Sequence, residues 1–269
     1  MSGGISSRVI DDLIAAQRYD EALLAVQAAR AAEPEHLPYA VRHAAVLRRL
    51  QRPADAMAAL MPLLTGAPGE LMLRDELAIC LRHTGDAERS LQLADETLAA
   101  HPDHRPALLA RIDALISGGD TDALSGLAGS LLFTPDEQRL QPARRQMVGE
   151  ALARIVPHLR HSEAQRVMTA AAESIAAAAS LLRPEQLWPL YVAADQVGLA
   201  ARYRPVLESL FSRDRLSAGV CLGIVQALHR NGDRDWESVA DRFLERLAPQ
   251  ERWRFRLECG ELAAGAEAA

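Results

Sequence analysis

The side chains best suited to chemistry in this 269-residue sequence are its eight histidines, its three cysteines and thirty basic residues, every one of which is an arginine. Without a lysine there is no phosphate-loop lysine, kinase-type strand lysine, Schiff base or lysine general base within the chain. His158 and His161 stand three apart, and His101 and His104 flank a turn, but neither pair has a third metal ligand at a useful spacing. Cys80, Cys221 and Cys259 are odd in number and far apart, so neither a zinc knuckle nor a disulfide framework is suggested. Cys221 neighbours Leu222 and Ile224, a setting that buries and quiets a thiol. Gly219 and Gly223 have the GxxxG spacing, which in a helix of a water-soluble protein means tight packing. No HExxH, GxSxG, GxGxxG or phosphate loop occurs. The expectation is a chain with no catalytic set, no metal and no cofactor.

The basic clusters have a plain reading. Arg144-Arg145 and the run Arg252, Arg254, Arg256, interleaved with Trp253 and Phe255, look superficially like a nucleic-acid stripe. Alternate residues of a helix point in different directions, so a solvated face beside a core face accounts for the second run. The 36 acids against 30 bases give −6, which also speaks against nucleic acid. That charge is uneven: residues 1–135 hold 12 arginines and 18 acids, and residues 136–269 hold 18 of each.

The elements that must position these groups announce themselves by a repeat. Pro34, Pro68 and Pro102 are 34 apart, and Leu13, Leu47, Leu81 and Leu115 share that interval. So do Ala22, Ala56 and Ser90, and Gly85 and Gly119. Each unit reads as two helices. Tyr19 to Val26 carries apolar residues at helical spacing, and the proline after Ala29 cannot continue the helix. The small residue at Ala22, Ala56 and Ser90 lets the two helices of a hairpin cross closely. Gly85 and Gly119 mark the left-handed end of each first helix.

On these residues the first half resembles the tetratricopeptide repeat family. That pattern has a small residue early in the first helix, matched by Ala44 and Ala78, then a large apolar residue, here always Leu, then the turn glycine. An aromatic residue opening the second helix is matched only by Tyr19, and the first-helix tryptophan is missing throughout. The resemblance spans residues 3–135, about four units. Residues 136–263 read as degenerate repeats with a capping helix from Pro249, and 264–269 as a frayed tail. Gly198 and Gly232 are again 34 apart, and Tyr203, Val206, Leu210 and Phe211 recur as Trp236, Val239, Phe243 and Leu244 at a spacing of 33. Thr134-Pro135-Asp136-Glu137 has a capping-box pattern, and Pro142 and Pro189 fall inside helical windows, where breaks or kinks are expected. No strand pattern is found. The expected fold is all-α, a right-handed superhelical solenoid of about seven antiparallel helix pairs; its low aromatic content, 4%, suits close packing of Ala-rich faces.

The resemblance implies that first helices line a concave groove used to hold peptides or partner proteins. Carried over by position, Arg42, Ala45, Arg48 and Arg49 of the second unit face inward, followed by Asp75, Glu76, Ile79, Arg82 and His83 of the third. The arginines would make a stripe for an acidic or C-terminal carboxylate ligand. Alternatively, Arg48, Arg49, Arg82 and His83 merely sit in the last turns of their helices and complement the dipoles. The family's chaperone-binding clamp of lysine, asparagine and arginine is absent, its positions holding Ser7, Asp11, Arg42, Met72 and Glu76. The leading expectation is a non-catalytic protein-protein scaffold whose groove stripe is lost in Arg48→Glu with Arg49→Glu, without change in melting. A docking subunit of a separate enzyme system, such as a glycosyltransferase, sulfotransferase or hydroxylase, is the second reading. Self-assembly into a homodimer through the aromatic second half is the third. With no signal-peptide or membrane-spanning pattern and unpaired cysteines, a soluble, cytoplasmic setting is expected; the lysine-free, Ala/Arg-rich composition points to a bacterial genome of high GC content.

Overall fold

The computed structural model describes residues 7–132, 141–213, 216–233 and 235–267, of which 261–267 are described by backbone alone. The Thr134–Glu137 capping pattern lies outside the described residues. Among the described residues all regular structure is helical, fifteen α-helices and two 3-10 turns, and the chain divides into two compact units, Met1–Leu124 and Ser125–Ala269.

The first unit contains α1 (Ser7–Ala15), α2 (Tyr19–Ala32), α3 (Leu37–Arg49), α4 (Pro53–Gly66), α5 (Leu71–Thr84), α6 (Ala87–Ala100), α7 (Arg105–Gly118) and the start of α8 (Thr121–Leu132). The second helices begin at Tyr19, Pro53, Ala87 and Thr121, so the period read from sequence is carried into the backbone at 34 residues each time. Each first helix ends on a residue with positive φ: Gln17 at 58°, Gln51 at 59°, Gly85 at 78° and Gly119 at 70°. The next backbone N–H then reaches back five residues, from Arg18 to Leu13 O, Arg52 to Leu47 O, Asp86 to Leu81 O and Asp120 to Leu115 O, at 2.9–3.1 Å. This is the Schellman closure of a helix C-terminus, and it explains the leucine series. The leucine carbonyl closes the turn, while the side chains of Leu47, Leu81 and Leu115 enter the core. Two turns accomplish with glutamine what the other two do with glycine, a substitution that glycine spacing alone does not reveal.

Packing follows from the small residues. Ala44 of α3 and Ala56 of α4 share one buried cluster with Leu47, Leu60, Leu73, Leu77, Cys80 and Leu81. Ala22 and Ser90 are buried at the matching positions, whereas the fourth unit places Leu124 there. Neighbouring first helices touch, α1 with α3, α3 with α5 and α5 with α7, and each second helix packs on the first helix that follows. Pro34, Pro68 and Pro102 lie in the tight turns between hairpins.

The second unit contains α9 (Pro142–Ile155), α10 (His161–Ala178), α11 (Pro184–Gln196), α12 (Arg204–Phe211), α13 (Ala218–Arg230), α14 (Trp236–Arg246) and α15 (Pro249–Glu267). Helices α9 and α10, α11 and α12, and α13 and α14 pack as hairpins, and α15 lies against α13 and α14. Among the described residues, the four pairs of the repeat read from sequence and these three come to seven pairs and a last single helix. Gly198 (φ 77°) and Gly232 (φ 70°) repeat the left-handed turn, with Leu199 N–H on Ala194 O and Asp233 N–H on Leu228 O. Pro142 opens α9 at its first turn, where its missing N–H costs nothing, instead of breaking a helix. Pro189 lies within α11, which runs unbroken from Pro184 to Gln196.

Larger side chains hold this unit. Tyr203 is fully buried and its hydroxyl donates to Met168 O at 2.8 Å. The Trp188 ring lies over Gly223, leaving no room there for a Cβ, and Leu182 presses on Gly149. Arg213 and Arg246, 33 residues apart, each reach back to the end of the preceding second helix. Arg213 Nη2 donates to the carbonyls of Ala179, Ser180 and Leu182 at 3.0–3.2 Å, and Arg246 Nη1 to those of Phe211 and Arg213 at 3.2 and 3.4 Å. A planar five-donor guanidinium suits carbonyls left over by a helix end. No helix among the described residues is long and apolar enough to cross a membrane.

Candidate functional site

The first helices of the first unit stand side by side and make one wall. Along it the residues singled out from sequence fall into a ladder of ion pairs, each rung joining one first helix to the next or to its N-terminal edge. Arg42 of α3 clasps Asp11 of α1, Nε to Oδ1 at 2.8 Å and Nη2 to Oδ2 at 2.9 Å. Arg48 of α3 donates from Nε to Glu76 Oε1 of α5 at 2.8 Å. Asp75 of α5 meets His104, the residue before α7, at 2.7 Å, and Arg82 of α5 pairs with Asp113 of α7. Bidentate geometry and the Arg42 charge hold the Asp11 carboxyl below the ordinary carboxylate range.

The rungs differ in depth. Arg48 and Glu76 are 13% and 9% exposed, so that pair sits in the wall, and the Cys80 thiol points at the same Glu76 oxygen at 4.0 Å. Burial first, then the Glu76 charge, pushes that thiol up to about 12. The other rungs are half-exposed. Ile79, between them in sequence, is half-buried. The structure therefore commits Arg42, Arg48 and Arg82 to carboxylates, Glu76 to the Arg48 guanidinium and Asp75 to the His104 imidazole, each across neighbouring first helices. Three arginines and a histidine end up in the last turns of α3 and α5: Arg48, Arg49, Arg82 and His83. Of these, Arg49 is exposed and makes no ion pair among the described residues. His83 is pushed below the usual histidine value, by partial burial first and then by Arg48, Arg82 and Arg49. Such a patch, one uncommitted guanidinium and a neutral imidazole in the field of two paired arginines, can accept an anion.

The remaining sequence candidates separate. His158 lies in the 3-10 turn Val156–His158 and His161 is the first residue of α10, so they do not share a helix. His101 follows α6, and His104 is committed to Asp75. No three His, Cys, Asp or Glu side chains converge among the described residues. Cys221 is buried, and that burial raises its thiol to about 11. The arginine-tryptophan run divides as helical geometry requires: Phe255 is buried at 2% exposure, and Trp253 stands 67% exposed. Trp188, Tyr191, Tyr203 and Trp236 are buried or half-buried. The exposed indole is the one feature for which sequence offered no sign, because the i, i+2 spacing fixes that two side chains diverge and not which of them meets solvent.

Repeated two-helix hairpins, all but α9–α10 among the described residues turned by the same left-handed closure, define an all-α helical-repeat fold. Among solved structures the chain is similar to the crystal structure of a tetratricopeptide repeat protein from Parabacteroides merdae ATCC 43184, at 13% identity, 95% coverage of this chain, 96% of that chain and a TM-score of 0.50. That likeness is one of fold. No protein-family model matches the chain, and no curated protein matches it.

Proposed function

We propose that the chain is a non-catalytic interaction scaffold of the tetratricopeptide kind, holding an acidic segment of a partner protein on the first-helix wall of its first unit. The observation that carries this reading is Arg49, exposed and unpaired among the described residues, beside His83 and between the ends of two neighbouring helices. The ladder supports it in two ways. It fixes the spacing of the first helices, and it uses up the other cations, so that recognition concentrates on one patch in place of a long stripe. Arg48, tied to Glu76 within the wall, is a structural residue on this reading and Arg49 the recognition residue.

Isothermal titration of the full chain with an N-acetylated, C-amidated decapeptide of alternating glutamate and leucine tests the proposal. Binding in the micromolar range is expected, weakened about tenfold in Arg49→Glu with melting unchanged. Heat release that is absent, or the same for Arg49→Glu, would overturn it. A pH dependence follows from His83. Its lowered value keeps the free imidazole neutral near pH 7, and a bound carboxylate favours the protonated form. Affinity therefore rises as pH falls from 7.5 to 5.5, while the peptide's carboxylates are still largely ionised.

A further inference from the structure

The second unit carries an open surface of different chemistry. Between α13 and α15 runs a groove of about 360 Å³, within the size range of sites that take a small group or side chain. Ala218, Gly219, Leu222 and Phe255 form its walls, and Glu251, Trp253, Arg254 and Glu258 stand around them with Gln250. Gly219 has nothing within 4 Å of where a Cβ would be, whereas Gly223, one turn on, is filled by Trp188. The first glycine of the GxxxG pair therefore faces the groove and the second faces the core.

Charge selects the occupant. Arg254 Nε bonds Glu258 Oε1 at 3.0 Å, and Arg252 turns away to the carbonyls of Leu247 and Glu245. Glu251 makes no ion pair among the described residues, which leaves the groove lining one negative charge in excess. Arg256 is exposed but is not among the lining residues. An exposed aromatic ring and an unmatched carboxylate lining one groove favour a cation, an arginine above all, whose aliphatic stem can lie along small apolar walls. A second copy presenting the same lining would set one excess negative charge against another. We infer that this groove docks a basic, leucine-bearing segment of a partner protein, an arginine meeting Glu251 and apolar side chains lying over Gly219, Leu222 and the Trp253 ring.

The test uses the full chain and an N-acetylated, C-amidated decapeptide of alternating leucine and arginine, read by tryptophan emission and by calorimetry. Saturable binding with a change in emission is expected. Gly219→Leu, which fills the groove without touching the core, should weaken binding about tenfold with melting unchanged, and Trp253→Ala should do the same. Glu251→Gln should weaken it by about threefold and reduce its salt dependence. The site is independent of the first unit, so Arg49→Glu should bind this peptide like the parent chain. Equal affinity for the glutamate-leucine peptide, or unaltered binding by Gly219→Leu, would overturn the inference. So would a concentration-dependent doubling of mass by light scattering that Trp253→Ala abolishes, which would give the face to a second copy.

Discussion

The two units solve one problem, keeping consecutive hairpins in register, with different side chains. In the first, small residues and leucines fill the hairpin core, and arginine-carboxylate pairs such as Arg42–Asp11 and Arg82–Asp113 stitch neighbouring first helices. In the second, aromatic rings join the aliphatic core, and beside the pairs Arg204–Asp233 and Arg230–Asp195, Arg213 and Arg246 bind backbone carbonyls at the ends of preceding helices. The lesson concerns where sequence change is tolerated. Carboxylate rungs are side chain to side chain, so both partners must be kept, some thirty residues apart. Carbonyl caps need only the arginine, because the acceptor is backbone, so the surrounding sequence is free to drift.

The largest effect expected from breaking this comparison is at the deepest rung. Arg48→Glu sets two carboxylates together in the wall and should cost about 3–5 kcal/mol in a denaturation curve. The sequence-based expectation of unchanged melting for the Arg48/Arg49 double variant is thereby revised, since only Arg49 is dispensable to the fold. Next comes the glycine pair of α13. Gly223→Ala drives a methyl into the Trp188 ring and should cost about 2 kcal/mol, against a change within about 0.5 kcal/mol for Gly219→Ala. Arg213→Ala, which strips a cap from three carbonyls, should cost about 1–3 kcal/mol in thermal melts. The smallest effect has the opposite sign. Gln17→Gly and Gln51→Gly relieve left-handed strain and should each add about 0.5–1 kcal/mol, where Gly85→Ala should subtract a similar amount.

Much of this fold was legible. The leucine, proline, glycine and small-residue series located the hairpins of the first unit, because a turn with positive φ and a close helix crossing each admit few residue types. Gln17 and Gln51 escaped notice since glutamine carries no turn preference, and only the leucine five residues before the closing N–H marks the position. The site was partly legible. Helix-end arginines stand out by type, yet which of them is already satisfied depends on Asp11, Glu76 and Asp113, some thirty residues away on neighbouring helices. The periodicity puts those carboxylates within reach and does not say that the arginines turn toward them.

His83 offers the most direct reading of the central claim that an anion is held between the ends of α3 and α5. In the free chain its lowered value means that stability contributed by the neutral ring is present above about pH 6.5 and is lost as pH falls below it, since the unfolded chain then takes up a proton first. Histidine NMR titration of the full chain, with His83 assigned by a His83→Gln variant, should show that resonance titrating below the usual histidine range. Saturation with the glutamate-leucine peptide should raise its midpoint in the parent chain and leave it in place in Arg49→Glu. A midpoint unmoved by saturating peptide in the parent chain would contradict the account.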